Sequence, residues 1–394
     1  MLSPEIDPAA AGFDAARLTR IDRHYQRYVD AGQIPGFLAV VARDGRIVHV
    51  AKGGYRDVEA RAPLEVDTQF RIYSMTKPIT SVAAMLLWEQ GAFELKDPVA
   101  DFIPAFAEPR IWAGGSQRKP QTVPATEPVR IWHLLTHTAG LTYGFHYAHP
   151  LDALYREHGY EYGAPAGTTL ATAVDTWARL PLLFEPGTEF NYSVATDVLG
   201  RLLEVVAQQP LDELLQRLIF EPLQMRDTRF GDADPDRLAA LYTAGLQRED
   251  RMGDIVKTMP AFFSGGGGLI STAADYHRFT TALLGNALLA PRTLDLMGRN
   301  HLPGELKEVA RPTISETQNE GMGFGLGFSV VLDAAATKGA ASEGELAWGG
   351  LASTAFWLDR RERLAVSFFT QLMPSSTYPL RTRLRQLVYQ AMME

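Results

Sequence analysis

The chain has 394 residues, no cysteine and a formal net charge of −8. Its length holds roughly two or three typical domains, and its acidic balance argues against a nucleic-acid or anionic-membrane surface, which needs a basic field. Without cysteine there are no disulfides, thiolate nucleophiles or cysteine metal ligands.

Residues Met1 to Ala15 are polar, acidic and proline-containing. They lack the basic start and apolar run of a signal peptide. No apolar stretch approaches the roughly 20 residues of a membrane helix. The expectation is a cytoplasmic protein, or a periplasmic one whose leader has been removed. Leu18 to Ala31 has helical spacing, with Leu18, Ile21, Tyr25 and Val29 on one side. Gly36 to Val41 and Arg46 to Ala51 read as a hairpin turning at Arg43-Asp44-Gly45. Phe70 to Tyr73 leads into Ser74, and a helix then runs to about Gln90, with Pro78 near its first turn and Gly91 as C-cap.

Ala113 to Pro128, rich in Gly, Pro, Ser and Thr, reads as a loop. Val129 to Thr136 looks helical and Gly144 to Thr169 irregular, the latter of the kind that lines a site. Ala195 to Val206 and Pro210 to Ile219 read as helices. Ala347 to Leu358 and Arg363 to Gln371 are strand-like, and a helix over Arg381 to Met393 closes the chain. The expected class is α+β, an α/β sandwich with an antiparallel sheet flanked by helices. That sheet would be built from both chain ends, 1–85 and 200–394. A mostly helical domain, 86–199, would be inserted between them, with the active site between the lobes.

Ser74-Met75-Thr76-Lys77 places a lysine at i+3 from a serine. On a helix the two side chains lie one turn apart on one face. A serine hydroxyl is a weak nucleophile that needs a base, and burial favours the neutral amine of a lysine. The same spacing occurs in Ser116-Gln117-Arg118-Lys119. That pair falls in the Gly/Pro-rich loop, where no helix aligns it and water keeps Lys119 charged. Helical context selects Ser74 and Lys77.

Three further segments supply what such a pair needs. Pro186 to Ser193 ends in a tyrosine beside a serine, Tyr192-Ser193, and a tyrosine can relay a proton. Ser264 to Ile270 is a serine followed by a glycine run. Trp348-Gly349-Gly350 opens a strand-like stretch whose glycines allow close backbone approach and a free N–H for an oxyanion.

With His133 to Leu141 and Gly267 to Asp275, these segments resemble the serine β-lactamase and penicillin-binding-protein superfamily over about Gly36 to Gln371. The chain is most similar to its esterase branch, the family VIII carboxylesterases related to class C β-lactamases. The resemblance implies Ser74 as nucleophile, with Lys77 and Tyr192 sharing general-base and general-acid work. It implies an oxyanion hole from the N–H groups of Ser74 and Leu351. Tyr143, Trp348, Gly349 and Gly350 would line the substrate pocket. β-Lactamases usually carry Tyr-x-Asn and Lys-Thr-Gly where this chain has Tyr192-Ser193-Val194 and Trp348-Gly349-Gly350. Losing a charge-assisted contact to a β-lactam carboxylate forfeits roughly 1.5–3 kcal/mol.

The expected activity is therefore hydrolysis of carboxylic esters with short acyl chains. Acyl transfer or β-lactam hydrolysis by the same groups is the alternative. A non-catalytic binding module would be expected to have lost the serine, lysine or tyrosine. Five histidines lie from His133 to His158, and His133 and His137 have an i, i+4 spacing that can bind zinc. No Glu follows His133, so they read as structural. The expected partner is a small-molecule ester, with no cofactor, metal, nucleic acid or membrane. There is no Gly-x-Ser-x-Gly elbow and no phosphate loop.

Overall fold

The computed structural model describes residues 2–311 and 319–393. Helix α1 (Ala15–Asp30) starts on Asp14, whose carboxylate accepts from the Arg17 N–H, and buries Leu18, Ile21 and Tyr25. Such a cap contributes about 1 kcal/mol. Strands β1 (Gly36–Arg43) and β2 (Arg46–Asp57) form a hairpin. Its two turn residues, Asp44 and Gly45, sit at φ 54° and 75°, matching the tight turn that follows strand twist. Strand β3 (Ala62–Pro63) borders β2.

The chain then leaves the sheet. A short strand, Phe70–Arg71, and a 3-10 turn, Tyr73–Met75, lead into α2 (Thr76–Glu89). Helices α3 (Ala195–Ala207) and α4 (Ala273–Leu284) follow. The chain returns as β4 (Met322–Phe324), β5 (Ser329–Val331), β6 (Leu346–Gly349), β7 (Ala355–Asp359) and β8 (Leu364–Phe369), and then forms α5 (Leu380–Tyr389).

The strands lie in the order β4-β5-β6-β7-β8-β1-β2-β3. Every neighbouring pair is antiparallel. The two ends of the chain meet where β1 pairs β8, with Leu38 opposite Phe369 and Val40 opposite Ser367. Alternation sorts the side chains. Leu38, Val40, Phe356 and Phe369 join the core that holds α2 and α4. Phe37, Ala39, Trp357 and Phe368 join the core beneath α1 and α5. A one-residue slip would exchange the two sets, so burial on both faces pins the register. The α+β class with an antiparallel sheet flanked by helices holds.

Several boundaries differ from the sequence reading. Ala113 to Pro128 is mostly a hairpin, Arg110–Ser116 paired with Lys119–Pro124. Its glycines signal irregularity, yet Gly114 and Gly115 take positive φ within the ladder, as glycine does at a bulge. Ser116 and Lys119 face each other across the turn, both exposed. The stretch Ala347 to Leu358 is two strands, because Gly350 N–H bonds Thr354 O and Ser353 takes φ 65°. The irregular segment after Gly144 contains a helix, Pro150–Glu157, with proline at its start. The stretch from Pro210 becomes Leu211–Leu215 followed by a wider π-type turn, Gln216–Phe220. Among the described residues no helix is long and apolar enough to cross a membrane.

Candidate active site

The site is assembled at the start of α2. Tyr73 lies at φ +43°, a left-handed conformation that costs a tyrosine roughly 1–2 kcal/mol. This bend turns the chain from the Phe70–Arg71 strand into the helix and sets Ser74 at its N-terminal end. There the peptide dipoles favour negative charge. One turn on, the Lys77 side chain is only 2% exposed. Its Nζ lies 3.3 Å from Ser74 Oγ, 2.9 Å from Tyr143 OH and 2.6 Å from Gly266 O. Tyr192 OH is 2.7 Å from Ser74 Oγ on the other side. Ser74, Lys77, Tyr143 and Tyr192 thus form one hydrogen-bonded group.

Each contact has a local cause. The His133–Leu141 segment scaffolds Tyr192: His137 O accepts from Asn191 N–H at 2.9 Å, and Asn191 Nδ2 donates to Leu141 O at 2.9 Å. The His137 ring lies 4.9 Å from the Tyr192 ring and takes the Ser193 N–H on Nδ1. Burial, then the Lys77 charge, holds His137 well below the usual histidine range. It is neutral, and an accepting Nδ1 assigns the proton to Nε2. His133 accepts from Arg130 N–H on Nδ1, so each of the two histidines serves a backbone group.

The glycine run provides close approach. Gly266 donates its N–H to Asp197 Oδ1 at 3.0 Å, and a Cβ on it would lie 2.6 Å from Asp197 Oδ2. Asp197, on α3, also accepts from Ser264 Oγ at 2.6 Å. Burial raises its proton affinity against the opposing pull of Lys77, Ser264 and the Gly266 N–H. Burial, the Tyr192 hydroxyl and Asp197 push the Tyr143 phenol well above its ordinary value, so it stays protonated. Asp197 was not legible as a site residue: it is an acidic residue in an amphipathic helix, and its partner Gly266 is 69 residues away.

A cavity of about 910 Å³ opens beside Ser74 and is lined by Tyr143, Tyr192, Trp348, Gly349, Gly350 and Leu351. That size suits drug-sized ligands. The Trp348 ring lies 5.3 Å from Tyr192 and 5.2 Å from Phe324. Val194 is buried in the core, with its N–H on Thr142 O. Phe145 and Tyr162, which carry no sequence motif, extend the wall outward from Tyr143. Among the described residues no group of three or more His, Asp or Glu could hold a metal ion.

This fold, with a serine one turn before a buried lysine and a tyrosine hydroxyl on the serine, defines the class of active-site-serine enzymes built on the β-lactamase architecture. The chain belongs to the Beta-lactamase family, which matches residues 21–390. It is 34% identical to Protein Rv1367c of Mycobacterium tuberculosis over 88% of each chain. It is 32% identical to Esterase EstB of Burkholderia gladioli over 99% of this chain and 100% of that protein. The solved structure of EstCE1, described as a hydrolase with promiscuous acyltransferase activity, superposes with a TM-score of 0.80 at 31% identity. It covers 95% of this chain and 98% of that one.

Proposed function

We propose that this chain is a serine carboxylesterase that passes through an acyl-enzyme on Ser74. The observation that carries the reading is the position of Ser74 Oγ, between Tyr192 OH at 2.7 Å and the buried Lys77 Nζ at 3.3 Å, on the wall of the cavity. Ser74 Oγ attacks the ester carbonyl. Its proton passes to Lys77 or Tyr192 and then to the departing alcohol oxygen, while the acyl–oxygen bond breaks. A lysine amine that takes this proton has three N–H bonds. Ser74 Oγ, Tyr143 OH and Gly266 O are the three oxygens around it. Water then attacks the acyl-enzyme and returns Ser74.

The oxyanion would rest on the N–H groups of Ser74 and Leu351. Among the described residues, neither donates to a backbone or side-chain acceptor. Both residues are partly buried and line the cavity, and two N–H groups without a protein acceptor beside Ser74 Oγ support this role.

The test is hydrolysis of p-nitrophenyl acetate and butyrate by wild type and Ser74→Ala, with intact-mass mapping of a fluorophosphonate adduct. Label on Ser74 and an inactive variant support the reading. Full activity in Ser74→Ala, or label on Ser116, would overturn it. A second reading keeps the acyl-enzyme and replaces water by an alcohol. The likeness to EstCE1, with its printed acyltransferase activity, favours it. Ester product formed in competition between water and an added alcohol measures its share. Cephalosporin turnover should be slow, because Val194 and Trp348 offer no amide or ammonium to a β-lactam.

A further inference from the structure

Arg381 stands in the first turn of α5, far along the chain from the nucleophile. Its Nη2 donates to Gly350 O at 2.8 Å and to Thr354 O at 3.1 Å. The turn between β6 and β7 closes on the same atoms, with Gly350 N–H on Thr354 O at 2.8 Å and Ser353 N–H on Gly350 O at 3.1 Å. The guanidinium lies against Gly349: a Cβ there would sit 2.4 Å from Arg381 Cζ. Gly350 in turn is pressed on the segment that carries Ser74, since its Cβ would sit 2.4 Å from Ile72 O.

Gly350 O and the Leu351 N–H belong to one peptide group. In a trans peptide the carbonyl and the N–H point in opposite directions. A cation held on the carbonyl therefore sets where the N–H points, and it polarises the amide so that the N–H becomes a stronger donor. The Leu351 N–H has no other acceptor among the described residues, and Leu351 lines the cavity with Ser74.

We infer that Arg381 is a positioning residue for the oxyanion hole. It grips the Gly350–Leu351 peptide by its carbonyl and aims the Leu351 N–H at the oxyanion formed on Ser74. The inference rests on the proposed acyl-enzyme reading and adds a residue outside the motif strand, one that lines the cavity and acts through the Gly350–Leu351 peptide. It also gives Gly349 a physical reason: only a glycine leaves room for the guanidinium.

Arg381→Ala, assayed with p-nitrophenyl acetate, should lose kcat about tenfold to a hundredfold with KM nearly unchanged, since deleting an oxyanion donor outright costs about a hundred- to a thousandfold. Affinity for a boronic acid, which forms a tetrahedral adduct on serine, should fall by the same factor. Added methylguanidine should restore part of both, and Arg381→Lys should lie between wild type and Arg381→Ala. If Arg381→Ala fails to fold, Gly349→Ala replaces it. The new methyl displaces the flexible end of Arg381 and should lower kcat and boronate affinity together. A loss confined to KM, or unchanged kcat and boronate affinity in the folded variant, overturns the inference. Ser74-dependent hydrolysis by wild type is measured alongside, so a failure of the acyl-enzyme reading registers separately.

Discussion

Two groups lie within reach of the proton on Ser74 Oγ; Tyr192→Phe keeps the ring, whereas Lys77→Ala also empties the space of a buried stem. Lys77→Ala and Tyr192→Phe are expected to lower acylation of Ser74 about 10²- to 10⁴-fold each. Single-turnover release of p-nitrophenol measures the loss. Near-normal turnover by either variant would remove that side chain from the proton path. Asp197 acts one step further out. Replacing it with alanine leaves the buried Gly266 N–H and Ser264 hydroxyl without their acceptor. An unsatisfied buried donor costs about 1–3 kcal/mol, and the Gly266 carbonyl loses its anchor beside Lys77. Asp197→Ala should therefore lower both thermal stability and kcat. Asp197→Asn, which keeps an acceptor, should recover most of the stability in the same melting experiment.

The wall of the cavity is built at the scale of a segment. Tyr143 and Phe145 stack at 4.6 Å between ring centroids, and Phe145 and Tyr162 at 5.5 Å with planes 2° apart. The row leads from the Lys77 partner to a half-exposed tip, Tyr162. An alcohol group with its own ring gains an aromatic contact that acetate alone lacks, worth about 0.5–1.5 kcal/mol. Phe145→Ala should raise KM for 1-naphthyl acetate about two- to tenfold and change KM for ethyl acetate little. Equal effects on both esters would show that the row does not contact the alcohol. Segments of this kind mark the limit of what the chain discloses by itself. The hairpin at Asp44-Gly45, the helix after Ser74 and the closing helix are legible because periodicity and turn residues act locally. The Ser74–Lys77 pair is legible because i and i+3 share a helix face. The Phe145–Tyr162 stack, the Asp197–Gly266 bond and the Arg381 grip join residues far apart in sequence. No local pattern announces them, whereas the division of Ala347 to Leu358 into two strands is marked by Gly349-Gly350 and Ser353-Thr354, turn residues between two apolar runs that the sequence reading joined into one.

For the molecule as a whole, buried histidines couple stability to pH. Burial pushes His133 down to about 3 and His146 to about 4, and holds His137 well below its ordinary range. In the unfolded chain these imidazoles take protons below about pH 6.5, so between there and pH 4 unfolding binds protons and stability falls as pH falls. Asp197, Asp275 and Glu345 act with the opposite sign: burial raises each, and their contribution is lost as pH rises. A variant isolates one histidine. His133→Gln should flatten the stability curve by about 1.4 kcal/mol per pH unit between pH 6 and pH 4 relative to wild type. Denaturant midpoints across that range check it, and parallel curves would show that His133 is charged in the folded state.

The join between β1 and β8 has a consequence for how the protein comes into being on the ribosome. Ser74, the proposed nucleophile, emerges well before Thr354, which bonds Ile72 beside it and is synthesised 282 residues after Ile72, and Arg381 comes later still. Until then the first hairpin waits with an open edge where β8 will pair, an exposure that invites association with other nascent chains. Ser74 is made well before the peptide that would receive the oxyanion, which takes its place only once the strands that follow it have been added. A newborn chain thus carries the proposed nucleophile for a long stretch of synthesis without the means to use it.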